Sequence, residues 1–181
     1  MKKIFLPGAA IVLFAAFGAF KTASRTPNYS KAAIVKSRPV VGTQITVKLT
    51  GGANPGTFTA TSAEPTCSMG LTGPKSFGNQ YSVGGKKDNE FSSLQLIVDD
   101  YAAAKSGTSK FYIKVAFGKR LMGNAYIING SDNSISGAKE GTGKLTIKES
   151  LTSRTAHVEG TTKAGVAIVA DLTCYSVITN H

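Results

Sequence analysis

Histidine is the side chain best suited to moving protons at neutral pH, and this chain has two, His157 and the last residue, His181. A Ser-His-Asp or Cys-His arrangement would need His157 as its base. No Gly-x-Ser-x-Gly sequence accompanies it. Because Ala156 and Val158 on either side fit inward positions of a strand, we predict that His157 faces solvent. A small secreted hydrolase that uses His157 is therefore only a second alternative function.

Acidic residues offer two further patterns. Asp99 and Asp100 could serve acid–base chemistry or bind a hard cation, but adjacent side chains at a strand end point to opposite faces. We predict that this pair forms a turn, although a hydrolase could also draw on it. Residues 132–137 (DNSISG) match the opening of a calcium loop, yet Gly143 stands where that loop needs a bidentate glutamate. We expect an ordinary turn there, and neither a metal nor a cofactor.

A glycine and lysine pair suggests phosphate binding but fails on spacing. Residues 84–87 (GGKK) lack the first glycine and the Ser/Thr that a P-loop requires. A two-glycine turn with a solvated basic tip is the better interpretation.

The two cysteines, Cys67 and Cys174, are 107 positions apart. They do not form the Cys-x-x-Cys of a redox motif, and with His157 they supply too few ligands for a structural zinc site. An even number of cysteines in an exported chain favours a disulfide. We predict a Cys67–Cys174 bridge, which removes both sulfurs from the candidate nucleophiles.

Two lysine rows form the most promising binding surface in the sequence. Alternation points Lys110, Tyr112 and Lys114 outward on one strand, and Lys144 and Lys148 outward on another. If these strands share a sheet, the five side chains form a basic patch for anionic polysaccharide or lipid head groups. The alternative is a solvated face whose lysines resist edge pairing.

The charge balance agrees with a basic surface but selects no partner. The 181 residues include 21 Lys and Arg and 10 Asp and Glu, for a net charge of +11. Without residues 1–24, which hold three lysines and no acidic residue, the net charge falls from +11 to +8. The charges are dispersed rather than in long runs. Nucleic acid is not an expected partner, because an exported protein seldom meets it and aromatic residues are few.

The elements that position these residues begin with an export signal. Lys2 and Lys3 precede an apolar segment over residues 4–17, the pattern of a secretory signal peptide. We predict a signal peptide at 1–24, cleaved before Ala19 or before Arg25, and a basic polar leader at 25–39. We therefore expect the chain to contact a membrane only transiently, through the signal peptide during export. The final location is the periplasm, the cell surface or the medium of a bacterium.

Residues 40–181 read as one β domain. Short segments of period two are separated by Gly, Asn and Ser turns, which predicts an antiparallel β-sandwich or flattened barrel of about 7–9 short strands. One helical turn is expected at 102–104. No segment shows helical periodicity over ten residues, and no repeat of 20–50 residues is evident.

The C-terminal part of the chain resembles a known family. Residues 141–147 (GTGKLTI), 158–161 (VEGT) and 171–174 (DLTC), together with Cys67, are similar to the layout of the mycobacterial surface lipoprotein antigens of the LpqH type. The resemblance implies a small disulfide-stapled β-sandwich at the cell surface without enzymatic activity. No cysteine precedes Cys67, so the acylated cysteine of that family is missing here.

The function predicted from these features is that of an exported, non-catalytic envelope or secreted protein, with a basic face for an anionic ligand. The first alternative is a carrier of a lipid or hydrophobic small molecule. In a carrier, the inward row Phe111, Ile113, Val115 and Phe117 would line a cavity rather than fill a core.

Overall fold

The computed structural model describes residues 42–119, 123–133 and 137–179. The predicted signal peptide (1–24) and leader (25–39) lie outside these residues. Eleven strands and one short helix are present in the described part. In chain order they are β1 Thr43–Thr50, β2 Gly56–Ser62, β3 Cys67–Met69, β4 Phe77–Ser82, β5 Phe91–Val98, α1 Tyr101–Ala104, β6 Phe111–Phe117, β7 Ala125–Asn129, β8 Thr142–Glu149, β9 Arg154–Thr161, β10 Ala167–Cys174 and β11 Val177–Thr179.

The strands form two sheets, which confirms the predicted β-sandwich and excludes the closed barrel. The five-stranded sheet has the order β2-β1-β10-β9-β8, and the six-stranded sheet has the order β11-β3-β4-β5-β6-β7. All neighbours are antiparallel except β11 and β3. The predicted number of strands was too low, partly because three-residue strands such as β3 and β11 are too short to show an alternation in sequence.

Alternation along each strand builds the core between the sheets. In β6, Phe111, Ile113, Val115 and Phe117 are completely or almost completely buried. Phe111 at the start of β6 lies close to Gly143 of β8, whereas Phe117 at its end packs edge-on against Phe58 of β2, with ring centroids 4.8 Å apart. β6 therefore runs across the five-stranded sheet from one edge to the other, a crossed packing of two layers.

The predicted disulfide is present and joins the two layers. Cys67 on β3 of the six-stranded sheet bonds to Cys174 on β10 of the five-stranded sheet. Both residues are buried in the core. The bridge closes a loop of 107 residues, so it removes many extended conformations from the unfolded chain.

Asp99 and Asp100 are turn residues, as predicted, and they have separate partners. Asp100 caps α1 by accepting hydrogen bonds from the backbone N–H groups of Ala102 and Ala103. Asp99 instead accepts from the hydroxyl of Ser131 at 2.5 Å and the backbone N–H of Asp132 at 2.7 Å. These bonds tie the loop that follows β7 to the end of β5.

Two loops cover part of the outward side of the six-stranded sheet. Ile97 points outward yet is only 3% exposed. Gly78 is the residue opposite Ile97 on the neighbouring strand, and the side chain of Leu71 lies directly over Gly78. Asn129 also points outward but is 1% exposed, because its side-chain amide donates to the carbonyls of Gly137 and Ala138. The segments after β3 and β7 thus occupy space that a ligand would need on this side.

Candidate ligand-binding face

The two predicted lysine rows lie on different sheets. The prediction of one basic patch required both strands to share a sheet, and it was therefore wrong. Tyr112 and Lys114 belong to β6 of the six-stranded sheet, and Lys110 immediately precedes it. Lys144 and Lys148 belong to β8 of the five-stranded sheet. The rows point away from each other because outward side chains of the two layers of a sandwich face opposite directions. Period-two alternation identifies a strand's outward side but not its sheet.

In the row on the six-stranded sheet, Lys110 already forms an ion pair with a carboxylate of the protein. The ammonium group of Lys110 lies 2.9 Å from a carboxylate oxygen of Asp132, and this hydrogen bond raises the pKa of Lys110. Lys139 binds the other oxygen of Asp132 at 2.5 Å. Hydrogen bonds first from Lys139 and then from Lys110 lower the pKa of Asp132 to about 2. Burial raises the pKa of the Tyr112 hydroxyl.

The outward side of the five-stranded sheet presents a different surface, which we call the threonine face. Threonine alternates with buried residues along these strands because its β-branched side chain suits a pleated surface and its hydroxyl suits water. The register places its side chains in rows across five strands, with neighbouring strands about 4.7–4.9 Å apart. The face consists of Gln44, Thr46, Lys48, Thr50, Thr57, Thr59, Thr61, Thr142, Lys144, Thr146, Lys148, Thr155, His157, Glu159, Thr161, Ala167, Val169, Asp171 and Thr173.

Most hydroxyls of the threonine face are available to a ligand. Thr155 and Thr173 bond to each other at 3.3 Å. In the part of the chain that the structure describes, the side chains of the other threonines of the face make no hydrogen bond, and Thr57, Thr59 and Thr61 are exposed. A hydroxyl both donates and accepts, so each can bond to water or to a sugar hydroxyl.

Three lysines flank these hydroxyls. Lys48, Lys144 and Lys148 are exposed, and none makes an ion pair within the described residues. Lys48 and Lys144 lie in one row across the sheet, whereas Lys148 lies two rows further along β8. Sequence reasoning missed Lys48, although its outward position in the alternation of β1 was readable.

His157 lies at the centre of the threonine face between two carboxylates. Its Nδ1 lies 2.7 Å from Asp171 and its Nε2 lies 3.1 Å from Glu159. The hydrogen bond with Asp171, opposed by desolvation and aided by Glu159, raises the pKa of His157. Carboxylates at both nitrogens favour the protonated ring, in which both nitrogens donate. In that form the ring has no lone pair to accept a proton from a hydroxyl, as a hydrolase base must.

The predicted solvent exposure of His157 agrees with the structure, since its side chain is 42% exposed. No serine, threonine or cysteine bonds to its ring in the described residues. The two carboxylates contact opposite sides of the ring and cannot converge on one ion. Accordingly, within residues 42–119, 123–133 and 137–179, no group of three or more His, Cys, Asp or Glu side chains is arranged to hold a metal.

The inward row of β6, which the carrier hypothesis needs as a cavity lining, packs inside the core. Phe117 contacts Phe58, Phe91 and Tyr126 through ring–ring contacts with centroids 4.8–6.0 Å apart. Two surface grooves lie elsewhere. One, of 200 Å³, lies between the β8–β9 turn and Tyr175, and the other, of 440 Å³, runs along β2.

Comparisons with protein-family models, curated proteins and solved structures found no match to this chain. Among the residues that the structure describes, no helix has the length and apolar character needed to cross a membrane.

Proposed function

We propose that this chain is an exported, non-catalytic envelope or secreted protein that binds an anionic polysaccharide along the threonine face. The observation that carries the proposal is a combination on one outward surface: most threonine hydroxyls have no partner, and three lysines have no carboxylate partner, among the described residues. The lysine- and apolar-rich N-terminus and the Cys67–Cys174 bridge support export.

The chemistry of the face suits a polymer with both hydroxyl and acidic groups. Threonine hydroxyls exchange hydrogen bonds with sugar hydroxyls, and Lys48, Lys144 and Lys148 attract carboxylates or sulfates. When His157 is protonated it offsets one of the two negative charges of Asp171 and Glu159, so that with Lys48, Lys144 and Lys148 the face as a whole carries a net positive charge. An extended strand face also offers a polymer many weak contacts in rows.

A polysaccharide fits this face better than a lipid bilayer does. The only large apolar side chain on the threonine face is the half-buried Val169. Among the described residues the exposed large apolar side chains are Val83, Leu151, Tyr175 and Ile178, and of these only Tyr175 borders the face, where its hydroxyl donates to Gln44 at 3.4 Å. Peripheral membrane binding usually combines basic residues with several apolar groups that enter the acyl region, and here the face offers only Val169 and, at its margin, one tyrosine ring.

The test uses two double variants with equal changes of charge. Lys144→Ser/Lys148→Ser removes two lysines from the threonine face, and Lys110→Ser/Lys114→Ser removes two from the opposite side. We expect retention on immobilised polygalacturonate to fall several-fold for the first variant and to change little for the second. Retention of the wild type should fall with added salt, because exposed charges are screened beyond about 8–10 Å at physiological ionic strength.

Three further measurements make the result decisive. Neutral dextran should retain none of the proteins, and vesicles of phosphatidylglycerol should bind the wild type more weakly than polygalacturonate does. The variant Thr46→Ala/Thr146→Ala, which keeps all charges, should also reduce retention. Equal retention of the two lysine variants, or stronger binding to the vesicles, would overturn the proposal.

A further inference from the structure

The two sheets have four edge strands, and three of them are protected. On β8, Leu145 exchanges two backbone hydrogen bonds with Thr108, each 2.8 Å long. On β7, Asn129 exchanges two with Glu140, at 2.7 and 3.0 Å. β11 has only three residues. Short strands and covered edges are common ways in which proteins avoid unwanted strand pairing.

In the part of the chain that the structure describes, the fourth edge, β2, has none of these protections. It spans seven residues with the sequence GTFTATS, which contains no charged residue, no proline and no bulge against β1. Edge strands usually carry lysine or proline to prevent association. β8, the opposite edge of the same sheet, does carry Lys144, Lys148 and Glu149. An uncharged edge is notable in a chain whose net charge is strongly positive.

The register shows which peptide groups of β2 are free. In an antiparallel pair, the N–H and C=O of one residue both point toward the neighbouring strand, and those of the next residue both point away from it. The N–H of Tyr175 donates to the carbonyl of Gly42 at 3.0 Å, so the even-numbered residues of β1 face β10 and the odd-numbered ones face β2. The even-numbered residues of β2 then bond to β1. The peptide groups of Thr57, Thr59 and Thr61 therefore point to the open side.

We infer that a second copy of this chain pairs with this edge, β2 against β2, antiparallel about a two-fold axis at Thr59. In that register Thr59 faces Thr59 of the second copy, Thr57 faces Thr61, and Phe58 faces Ala60. The strand is complementary to itself, since it brings no like charges together and pairs threonine with threonine on one side. Each of the three facing threonine pairs exchanges two backbone hydrogen bonds.

The groove along β2 has room for the inward side chains of the second copy. It has a volume of 440 Å³ and is lined by Phe58, Ala60, Tyr81 and Phe91, with Lys86 and Glu90 on its far wall. Tyr81 and Phe91 are stacked there with ring centroids 5.9 Å apart. Phe58 of the second copy would lie beside Ala60, over these rings. Because of the two-fold symmetry, each copy places its Phe58 in the groove of the other. Lys86 and Glu90 carry opposite charges, so the rim of the groove has no net charge.

Sedimentation equilibrium of the purified full chain tests the pairing. We expect the apparent mass to rise from that of one chain toward that of two as the concentration increases. Salt should not weaken the association, because the paired strands are uncharged. Thr59→Lys sets two ammonium groups opposite each other and should weaken dimerisation by about tenfold or more. The control is Thr46→Lys, the same charge on the adjacent strand and face, which should still dimerise.

A cysteine pair tests the register independently. Facing residues in a hydrogen-bonded antiparallel pair have Cα atoms about 5.5 Å apart, within the range that a disulfide spans. Thr59→Cys should therefore cross-link two copies under mild oxidation, whereas Thr57→Cys, which faces Thr61, should not. A mass that stays monomeric at every concentration, an equal loss of dimer in both lysine variants, or equal cross-linking of both cysteine variants would each overturn the inference.

Discussion

The outward sides of the two sheets have the same alternating pattern but different surroundings. On the six-stranded sheet, Ile97 and Asn129 point outward and are nevertheless buried beneath the segments that follow β3 and β7. On the five-stranded sheet, the described loops leave most of the threonine face open. Gly107 lies beside Lys144 and Thr146 at the β8 edge, yet Lys48 and Lys144 are exposed. Alternation thus decides which side chains leave the core, whereas the connecting loops decide which of them a ligand can reach.

Hydrogen bonds hold the segments that follow β3 and β7 against the outward side of the six-stranded sheet. Asp99 accepts three hydrogen bonds from the loop after β7: from Ser131, from Asp132 and, at 2.8 Å, from the side chain of Asn133. Asn133 also donates to Thr72 at 3.2 Å, so the two covering segments are linked to each other. A carboxylate that accepts several hydrogen bonds makes stronger bonds than neutral acceptors do. Consequently, this side of the sheet is covered by its own loops, and the threonine face is the side to which we assign the proposed ligand.

The largest expected effect comes from removing the bond that holds the two sheets together. Cys67→Ala/Cys174→Ala releases a loop of 107 residues in the unfolded chain. The chain-entropy model gives about 4.7 kcal/mol for a loop of about 100 residues, so we expect a loss of about 4 kcal/mol in the free energy of unfolding. Guanidinium titration measures it.

Reduction of the wild type with a strong thiol reductant is the matched condition. It should shift the unfolding midpoint as far as the double substitution does, since both open the same loop. A loss below about 1 kcal/mol would mean that the two sheets are held together by the core alone.

The second prediction tests the difference between the two sides directly. Ile97→Ala removes a buried side chain from the covered side, and we expect it to cost about 2 kcal/mol, the low end for such truncations because a loop can settle onto the space. Val169→Ala truncates an outward residue of the threonine face and should cost less than about 0.5 kcal/mol. Urea titration of both variants gives the comparison. Equal losses would show that the two sides are covered to the same extent.

The strands and the disulfide could be predicted from sequence, because both depend on local pattern or on counting. The alternations of β1, β6, β8, β9 and β10 and the turn at α1 agree with the prediction, and two cysteines allow only one bridge. Sheet membership could not be predicted, since β6 and β8 show the same alternation and differ only in which distant strands they pair with. This is why Lys110 and Lys144 were placed together.

The covering loops were beyond sequence reasoning for a similar physical reason. Asp99 bonds to residues more than 30 positions away in the sequence, and no periodic pattern in the sequence predicts such contacts. The threonine face was more accessible. Thr57, Thr59 and Thr61 alternate visibly in the sequence, but uncharged hydroxyls carry no charge pattern that would mark them as a binding surface. Lys48 is the single outward lysine of its strand, and only the register of β1 with β10 and β9 shows that it lies in one row with Lys144.

The smallest expected effect concerns the pH response of His157 on the threonine face. Because the folded state raises its pKa, the stabilisation from its contacts with Asp171 and Glu159 is fully present below the unfolded pKa of about 6.5. It is lost as the pH rises through the folded pKa. Since these groups are well exposed, we expect a contribution below about 1 kcal/mol. Urea titrations of wild type and His157→Gln between pH 5.5 and 8.5 should therefore converge at the alkaline end.

The same titration changes the charge at the centre of the threonine face. Above the folded pKa of His157 the ring loses the positive charge that offsets one of the two carboxylates, so retention on polygalacturonate should decline with rising pH in the wild type and less in His157→Gln. Asp171→Asn removes the main cause of the raised pKa and should shift the titration of the His157 ring, followed by NMR, to lower pH. A ring that titrates at or below about 6.5 in the wild type would contradict the charged bridge. It would also leave the two outward sides of the sandwich alike in their response to pH.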